Sequence, residues 1–199
     1  METGYRIAVL LLLIAAYSIS GYYRYRAERK GGAQDRSQGG RTLLLLRLVA
    51  LAGFAPLLLW LVNPAWVTWS RFPAPAWLRV TAIFAAICIV PAFIWLFRSI
   101  GLNISPRETT RAGHELVTAG PYRYIRHPLY SFGLGFFALL SLAAANWWVM
   151  SVLALAFAAI VMRTRSEEAN LVARFGDEYR NYMARTGRFL PRIALRAHP

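Results

Sequence analysis

Two polar stretches of the sequence contain residue types that could bind a small charged molecule. The first, from His114 to Tyr130, combines two histidines, two arginines, three tyrosines and two prolines. The second, from Arg163 to Glu168, ends in two adjacent carboxylates. Carboxylates, guanidinium groups and aromatic rings together suit a ligand that carries both signs of charge. Both stretches adjoin long apolar blocks, so the chemistry would take place beside a membrane.

In the first stretch, the spacing predicts the start of a helix. Pro128 suits the first helical position, which places His127 immediately before the helix. Backbone N–H groups at such an end favour an anionic group such as a carboxylate. Tyr122, Tyr124 and Tyr130 offer aromatic faces to a cation or an adenine ring. The alternative interpretation is a basic loop that only contacts lipid headgroups, and local chemistry leaves both open.

The second stretch predicts a helical surface with charges on two sides. Arg163 and Glu167 are four residues apart and can pair on one helix face. Glu168 points about 100° away from Glu167. Carboxylates at the end of a membrane helix are unfavourable unless a cation or a ligand neutralises them. They could hold an amine or ribose hydroxyls, while the alternative is a solvated, salt-bridged start of a polar helix.

The elements that carry these stretches are membrane helices. The sequence is 57% hydrophobic and only 16% charged, which is typical of an integral membrane protein. We expect one all-α membrane domain over 1–199, without a Rossmann sheet. The last two spans form a tight helical hairpin, and an amphipathic helix follows from Arg163 to about Thr186. The apolar blocks predict five spans, at about 5–23, 42–62, 77–97, 128–145 and 147–162.

The basic residues predict the orientation. The net charge is +14, with six basic residues in 24–41, five in 98–127 and eight from Arg163 onward, against one in 63–76. This asymmetry places the N-terminus outside and the C-terminus in the cytoplasm, with both polar stretches on one side. The basic residues flank spans instead of forming a domain, so we expect no nucleic-acid partner. Cys88 and the three histidines have no metal-ligand spacing, so we expect no metal site.

The two stretches together resemble a known family. GHELVTAGPYRYIRHPLY, followed by R-x3-EE-x2-L-x3-FG-x2-Y-x2-Y ending at Tyr182, is similar to the isoprenylcysteine carboxyl methyltransferases, within a wider group that includes phospholipid methyltransferases. The resemblance covers about 101–191. It implies an integral membrane methyltransferase that uses S-adenosylmethionine. It also implies a cytoplasmic cofactor pocket and a lipophilic acceptor that enters from the bilayer. We expect the host membrane to be the inner membrane of a prokaryotic cell.

The resemblance also assigns roles to residues. Arg163 would lie nearest the reacting groups, and we expect Arg163 and Glu167 to be catalytic. The cofactor-binding residues that the resemblance implies are His114, Leu116, Val117, Gly120, Tyr122, His127, Pro128, Tyr130, Glu167 and Glu168.

Two acceptor chemistries stay open at this point. A carboxylate acceptor is ionised near neutral pH and needs no general base. The close resemblance of the motifs to the isoprenylcysteine carboxyl methyltransferases makes carboxyl O-methylation of a prenylated cysteine or a small isoprenoid-like acid the first hypothesis. A lipid amine must lose a proton, and a Glu or His would have to assist. A sterol-type reductase that uses NADPH is a more distant alternative among enzymes. A transport or scaffold protein without catalysis is the alternative from another class, and it would bind no cofactor.

Overall fold

A computed structural model describes residues 1–31, 51, 53–101 and 116–192. His114 and about half of the predicted second span lie outside these residues. Within them the backbone is helical without a named strand, and two isolated bridges join extended segments. The helices are α1 (Glu2–Gly31), α2 (Gly53–Val62), α3 (Ala76–Ile100), α4 (Pro128–Ala144), α5 (Trp147–Phe175) and α6 (Asp177–Arg185), with short 3-10 helices at Pro64–Ser70 and Gly120–Arg123.

The helices have the lengths of membrane segments. Within the described residues, three are long and apolar enough to cross a bilayer, namely Glu2–Ala27, Ala76–Ile100 and Trp147–Phe175. Gly53–Val62 and Pro128–Ala144 are shorter apolar helices. The predicted all-α integral membrane fold is confirmed, and so is the order of the apolar segments. Of the predicted span at 42–62, the structure describes only the later part.

The core forms where α1, α3, α4 and α5 meet. The small side chains of Ala82 and Ala86 on α3 are buried, which lets helix backbones approach closely. Phe93 of α3 contacts Phe136 of α4 with ring centroids 5.6 Å apart. At the end of α1, Tyr23 stacks on Phe97 of α3 at 5.5 Å. These contacts hold α3 against α1 and α4, and the polar loop leads from the end of α3 to the start of α4.

The predicted hairpin between α4 and α5 is confirmed. Helix α4 ends at Ala144, and Ala145 adopts a left-handed conformation with φ 52°. Asn146 then caps α5, because its side-chain oxygen accepts a hydrogen bond from the Val149 N–H at 3.1 Å. Its amide group also donates to the Ser70 hydroxyl at 3.0 Å. The two helices therefore return side by side, and the start of α4 lies near the far end of α5.

The polar end of α5 differs from the sequence prediction. The sequence predicted a span at 147–162 followed by one amphipathic helix to about Thr186. Instead, α5 continues without a break from Trp147 to Phe175, and Gly176 ends it with φ 55°. A separate helix, α6, then runs from Asp177 to Arg185. The prediction of a single helix was wrong because a positive φ at glycine redirects the chain there.

An ion cluster closes the opposite end of the bundle. Glu2 accepts hydrogen bonds from Arg79 at 2.8 and 3.1 Å and from the Trp60 indole at 2.9 Å. Arg79 is buried and also donates to the Ala143 carbonyl at 2.7 Å, near the C-terminus of α4. Arg71 completes the cluster at 3.4 Å from Glu2. Helices α1, α2, α3 and α4 are therefore tied together at the end that lies far from the two polar stretches.

Candidate active site

Glu168 is the carboxylate around which the two polar stretches meet. Its side chain is only 3% exposed. One oxygen, Oε1, accepts a hydrogen bond from Arg126 Nε at 2.7 Å and lies 3.3 Å from His127 Nε2. The other oxygen accepts a hydrogen bond from Arg188. Two guanidinium groups thus neutralise this carboxylate and replace the water it loses on burial.

Backbone hydrogen bonds join the polar loop to the segment that follows α6. The Arg126 N–H donates to the Gly187 carbonyl at 2.8 Å, and the His127 N–H donates to the Arg188 carbonyl at 3.0 Å. The Gly187 N–H returns a bond to the Tyr124 carbonyl at 3.2 Å. Ile125 and Gly187 form a parallel bridge. We call residues 186–192 the C-terminal strap, because they run across the start of α4.

Side chains reinforce the strap and α6. Arg126 Nη1 donates to the Met183 carbonyl at 3.1 Å and also to the Thr186 carbonyl. The Tyr182 hydroxyl donates to the Tyr122 carbonyl at 2.7 Å. The Ser131 hydroxyl of α4 donates to the Phe189 carbonyl at 2.6 Å. The loop, α4, α5, α6 and the strap consequently form one polar assembly at the end of the bundle.

Burial changes the acidity of the ionisable groups in this assembly. Burial lowers the pKa of His127, and the positive charges of Arg126 and Arg188 act in the same direction, whereas Glu168 opposes them. The imidazole is therefore neutral near pH 7, and its Nε2 can donate to Glu168. Burial raises the pKa of Tyr122, with Tyr182 and Glu167 adding to the effect. Burial likewise raises the pKa of the Tyr182 hydroxyl to about 12.

An apolar groove adjoins this assembly. It has a volume of about 680 Å³ and lies between α4 and α5, with Phe189 and Leu190 of the strap at one end. Leu134, Leu153 and Phe157 supply apolar walls. Of the described residues that line it, Arg188 alone carries a charge. The groove thus has apolar walls that suit a lipid chain, and Arg188 links it to the charged cluster around Glu168.

The structure brings several of the expected site residues together and leaves others apart. Glu168 contacts His127, and the His127 and Tyr130 rings lie 5.9 Å apart. Arg163 lies exposed on α5, and its catalytic role stays a prediction. His114 lies outside the described residues. Among the remaining predicted residues, Pro128 is buried, and Leu116, Val117, Gly120, Tyr122 and Glu167 are half-buried.

Gly120 has a packing role that the sequence did not reveal. Its φ is 62°, a conformation that other residues rarely adopt. A side-chain carbon at this position would come within 1.9 Å of the Ser99 hydroxyl oxygen and 2.6 Å of its Cβ. Gly120 therefore allows the loop to lie directly on the last turn of α3. This contact positions Tyr122 and the residues up to Pro128.

Arg126 and Arg188 are the residues that sequence reasoning missed. Arg126 adjoins His127 in the polar loop, but only the folded chain shows that it pairs with Glu168 across 42 residues. Arg188 lies 20 residues beyond Glu168, past the turn at Gly176. The one available signal was the buried carboxylate itself, because such a group requires cationic partners.

The chemistry of these groups fits S-adenosylmethionine. One oxygen of Glu167 is buried, and the Glu167 charge acts on the hydroxyls of Tyr122 and Tyr179. A half-buried carboxylate near tyrosine side chains suits an amine and a sulfonium cation. The His127 side chain makes no capping hydrogen bond at the N-terminus of α4, so this end can accept a carboxylate. Within the described residues, no group of three or more His, Cys, Asp or Glu could hold a metal ion.

Comparison with known proteins decides the family. The sequence profile of the phospholipid methyltransferases matches residues 78–178, just over half of the chain. The chain belongs to the phospholipid methyltransferase family. The matched region contains α3, α4, the whole of α5 and the start of α6, with both polar stretches. Within this family member, Glu168, Arg126 and His127 therefore lie in the family region, whereas Arg188 and the rest of the strap lie beyond it.

Two curated bacterial proteins are similar to this family member over part of its length. The nickel-cobalt-cadmium resistance protein NccN of Alcaligenes xylosoxydans xylosoxydans is 38% identical over 96 residues, which is 47% of this chain and 42% of that protein. The cobalt-zinc-cadmium resistance protein CzcN of Cupriavidus metallidurans is 38% identical over 85 residues, 43% of this chain and 39% of the other. The matches thus span less than half of either relative.

A solved structure has the same fold. The eukaryotic intramembrane Ras methyltransferase, an isoprenylcysteine carboxyl methyltransferase, superimposes with a TM-score of 0.60 and 17% sequence identity. The match covers 92% of this chain and 67% of that chain. At this identity the likeness concerns the fold, and it confirms the helical membrane architecture that the sequence resemblance implied.

Proposed function

We propose that this protein transfers a methyl group from S-adenosylmethionine to a lipophilic acceptor in the membrane, as a carboxyl O-methyltransferase. The observation that carries the proposal is the Glu168 cluster. It joins the polar loop before α4 to the end of α5 within the region that matches a methyltransferase family. The apolar groove beside the cluster supports a lipophilic acceptor, because its walls suit an aliphatic chain.

The residues that would hold the cofactor surround the cluster. Glu167 would accept hydrogen bonds from the amine, and the N-terminus of α4 at Pro128 would attract the carboxylate. Tyr122 and Tyr130 would offer aromatic faces. Bound there, the cofactor supplies an electrophilic methyl group on a sulfonium. Glu168 would act mainly by position, since its oxygens already accept bonds from Arg126 and Arg188.

The chain would contribute alignment and the exclusion of water. A carboxylate acceptor needs no deprotonation near pH 7, so no residue has to act as a base. The buried, neutral His127 and the folded strap would keep water from the reacting groups. Orientation of the two reactants within the helix assembly would then supply most of the rate enhancement. The roles proposed for Arg163 and Glu167 are to position the acceptor and the cofactor.

Calorimetry with S-adenosylmethionine on the protein in detergent tests cofactor use. We expect saturable binding, and we expect Tyr122→Ala to weaken it about tenfold because a half-buried aromatic face is lost. Tyr124→Ala is the matched control, since this ring lies two residues further on and is 49% exposed. A folded wild-type protein without binding would refute the methyltransferase proposal and favour a non-catalytic membrane protein.

A second candidate is N-methylation of a lipid amine, which the name of the matching family favours. The two reactions differ in their products. Methyl esters are hydrolysed by base, whereas methylamines resist it. Membranes that contain the protein would be incubated with methyl-labelled S-adenosylmethionine and then treated with base. Release of the label as volatile methanol supports the carboxyl reaction, and label that stays non-volatile, on an amine of the lipid or of its released head group, supports the amine reaction.

A further inference from the structure

Arg188 contacts both the buried carboxylate of Glu168 and the largely apolar groove. One end of its guanidinium binds Glu168, and the residue also lines the groove between α4 and α5. Its side chain is 29% exposed, which leaves part of it open to a molecule in the groove. An apolar groove that ends at a cation has the shape and polarity of a site for an amphiphile.

The donors of Arg188 are not all used by the described residues. Its Nε is buried and has no hydrogen-bond partner among them. Ser131, the other groove residue with a polar side chain, already donates to the Phe189 carbonyl at 2.6 Å. Around Glu168 two guanidinium groups, of Arg126 and Arg188, face a single carboxylate. A buried donor without a partner lowers stability unless a ligand satisfies it.

We propose that Arg188 binds the carboxylate head group of the acceptor. The aliphatic chain of the acceptor then lies in the groove between α4 and α5. This inference rests on the proposed function and assigns to Arg188 the recognition of the acceptor. A guanidinium favours a carboxylate and disfavours an ammonium group, so Arg188 selects the carboxyl acceptor over the amine. It is a specificity-determining residue, and the strap that carries it forms one end of the site.

Equilibrium binding of palmitate and methyl palmitate to the protein in nanodiscs tests this inference without turnover. The two probes share a chain and differ in the charge of the head group. We expect the wild-type protein to bind palmitate about tenfold more tightly, and we expect Arg188→Gln to remove this preference. Arg192→Gln is the matched control, since Arg192 is an exposed cation of the same strap that bonds the Ala184 carbonyl. It should keep the wild-type preference.

Several outcomes would overturn the inference. Equal binding of both probes to the wild-type protein would do so, and so would an unchanged preference in Arg188→Gln. Tighter binding of hexadecyl phosphate than of palmitate would assign the groove to a phospholipid head group instead. If Arg188→Gln does not fold, Arg188→Lys replaces it. Lysine keeps the charge but loses the planar fork, so the preference should fall without vanishing, and an unchanged preference would refute the role.

A parallel titration with S-adenosylmethionine separates this inference from the proposed function. A wild-type protein that prefers palmitate but does not bind S-adenosylmethionine would retain the role of Arg188 in lipid binding and reject methyl transfer. A protein that binds S-adenosylmethionine without preferring palmitate would retain methyl transfer and reject the role of Arg188. The two hypotheses therefore fail on different measurements.

Discussion

Glu168 is buried on α5, although a carboxylate loses several kcal/mol of hydration free energy when it leaves water. Arg126, Arg188 and His127 replace that hydration. The three partners come from two different segments of the chain. At the scale of single residues, this one carboxylate therefore decides whether the loop, α5 and the strap stay together.

Replacement of this carboxylate should lower stability strongly. We expect Glu168→Gln to reduce the free energy of unfolding by about 3–5 kcal/mol, because Arg126 and Arg188 would keep charges without a counter-ion. Chemical denaturation in detergent, followed by circular dichroism, measures the change. Asp177→Asn is the control, since the Asp177–Arg180 pair is 2.7 Å long but exposed, and its loss should change stability by at most about 1 kcal/mol. Equal effects of the two substitutions would contradict the role of Glu168.

His127 should make stability depend on pH. Burial lowers its pKa below the ordinary value of 6.5, so the unfolded chain takes up a proton before the folded protein does. Stability is then constant above about pH 7 and falls as the pH drops below about 6.5, by up to about 1.4 kcal/mol per pH unit. Denaturation curves between about pH 7.5 and 5.5 test this. In His127→Gln this component of the slope should vanish, and a slope as steep as in wild type would show that another group titrates.

At the scale of elements, the strap depends on a glycine. A side-chain carbon at Gly187 would lie 1.7 Å from the Leu190 carbonyl oxygen, which is backbone and cannot rotate away. The same residue forms the parallel bridge with Ile125. The strap can therefore fold back on itself beside the polar loop only because this position lacks a side chain.

We expect Gly187→Ala to separate the strap from the loop. The substitution should lower the free energy of unfolding by about 1–3 kcal/mol and weaken binding of S-adenosylmethionine. Thermal unfolding and calorimetry measure the two effects. Gly133→Ala is the control, because a side-chain carbon there meets nothing within 4 Å and alanine favours the helix. If Gly187→Ala matched the wild-type protein in both measurements, the strap would not be needed.

The elements could be predicted from the sequence better than their contacts. The apolar blocks predicted the order of the helices and the hairpin at Asn146, because membrane helices satisfy their own backbone and depend little on neighbours. The turn at Gly176 was missed, since hydrophobic spacing continues across it to Tyr179 and Tyr182. Tertiary contacts decide where the amphipathic pattern bends, and a periodic pattern does not contain that information.

The residues of the candidate site could be predicted only in part, and the reason is similar. His127 and Glu168 were both among the predicted cofactor-binding residues, and they do come together. It did not predict Arg126 as the partner of Glu168 or Arg188 as the charged residue of the groove. Both contacts depend on how the strap pairs with the polar loop, and this pairing is made by backbone groups that carry no signature in the side chains.

At the scale of the whole molecule, the two ends of the bundle differ in their basic residues. At the far end, Arg71 and Arg79 bind Glu2, and Arg6 donates to the Leu61 carbonyl at 2.6 and 3.0 Å. At the site end, α5 and α6 carry further exposed basic residues, among them Arg165 and Arg185. Such an asymmetry is the pattern by which membrane proteins are oriented, with the more basic end in the cytoplasm.

A reporter protein fused to the C-terminus should therefore lie in the cytoplasm. Alkaline phosphatase is active only outside the cytoplasm. Green fluorescent protein fluoresces in the cytoplasm but not after export by the Sec pathway, so the two reporters give opposite readings. We expect fluorescence without phosphatase activity. A reporter after Val62, between α2 and α3, is the control and should give the reverse. Phosphatase activity of the C-terminal fusion would overturn the orientation.

The position of the strap along the chain has a consequence for biosynthesis. Synthesis proceeds from the N-terminus, so all the described helices leave the ribosome before residues 186–192 do. Glu168 can thus pair with Arg126 and His127 before Arg188 has been synthesised, so its contact with Arg188 is among the last to form. A chain truncated just before the strap would contain every described helix but would lack one of the two guanidinium groups that neutralise Glu168.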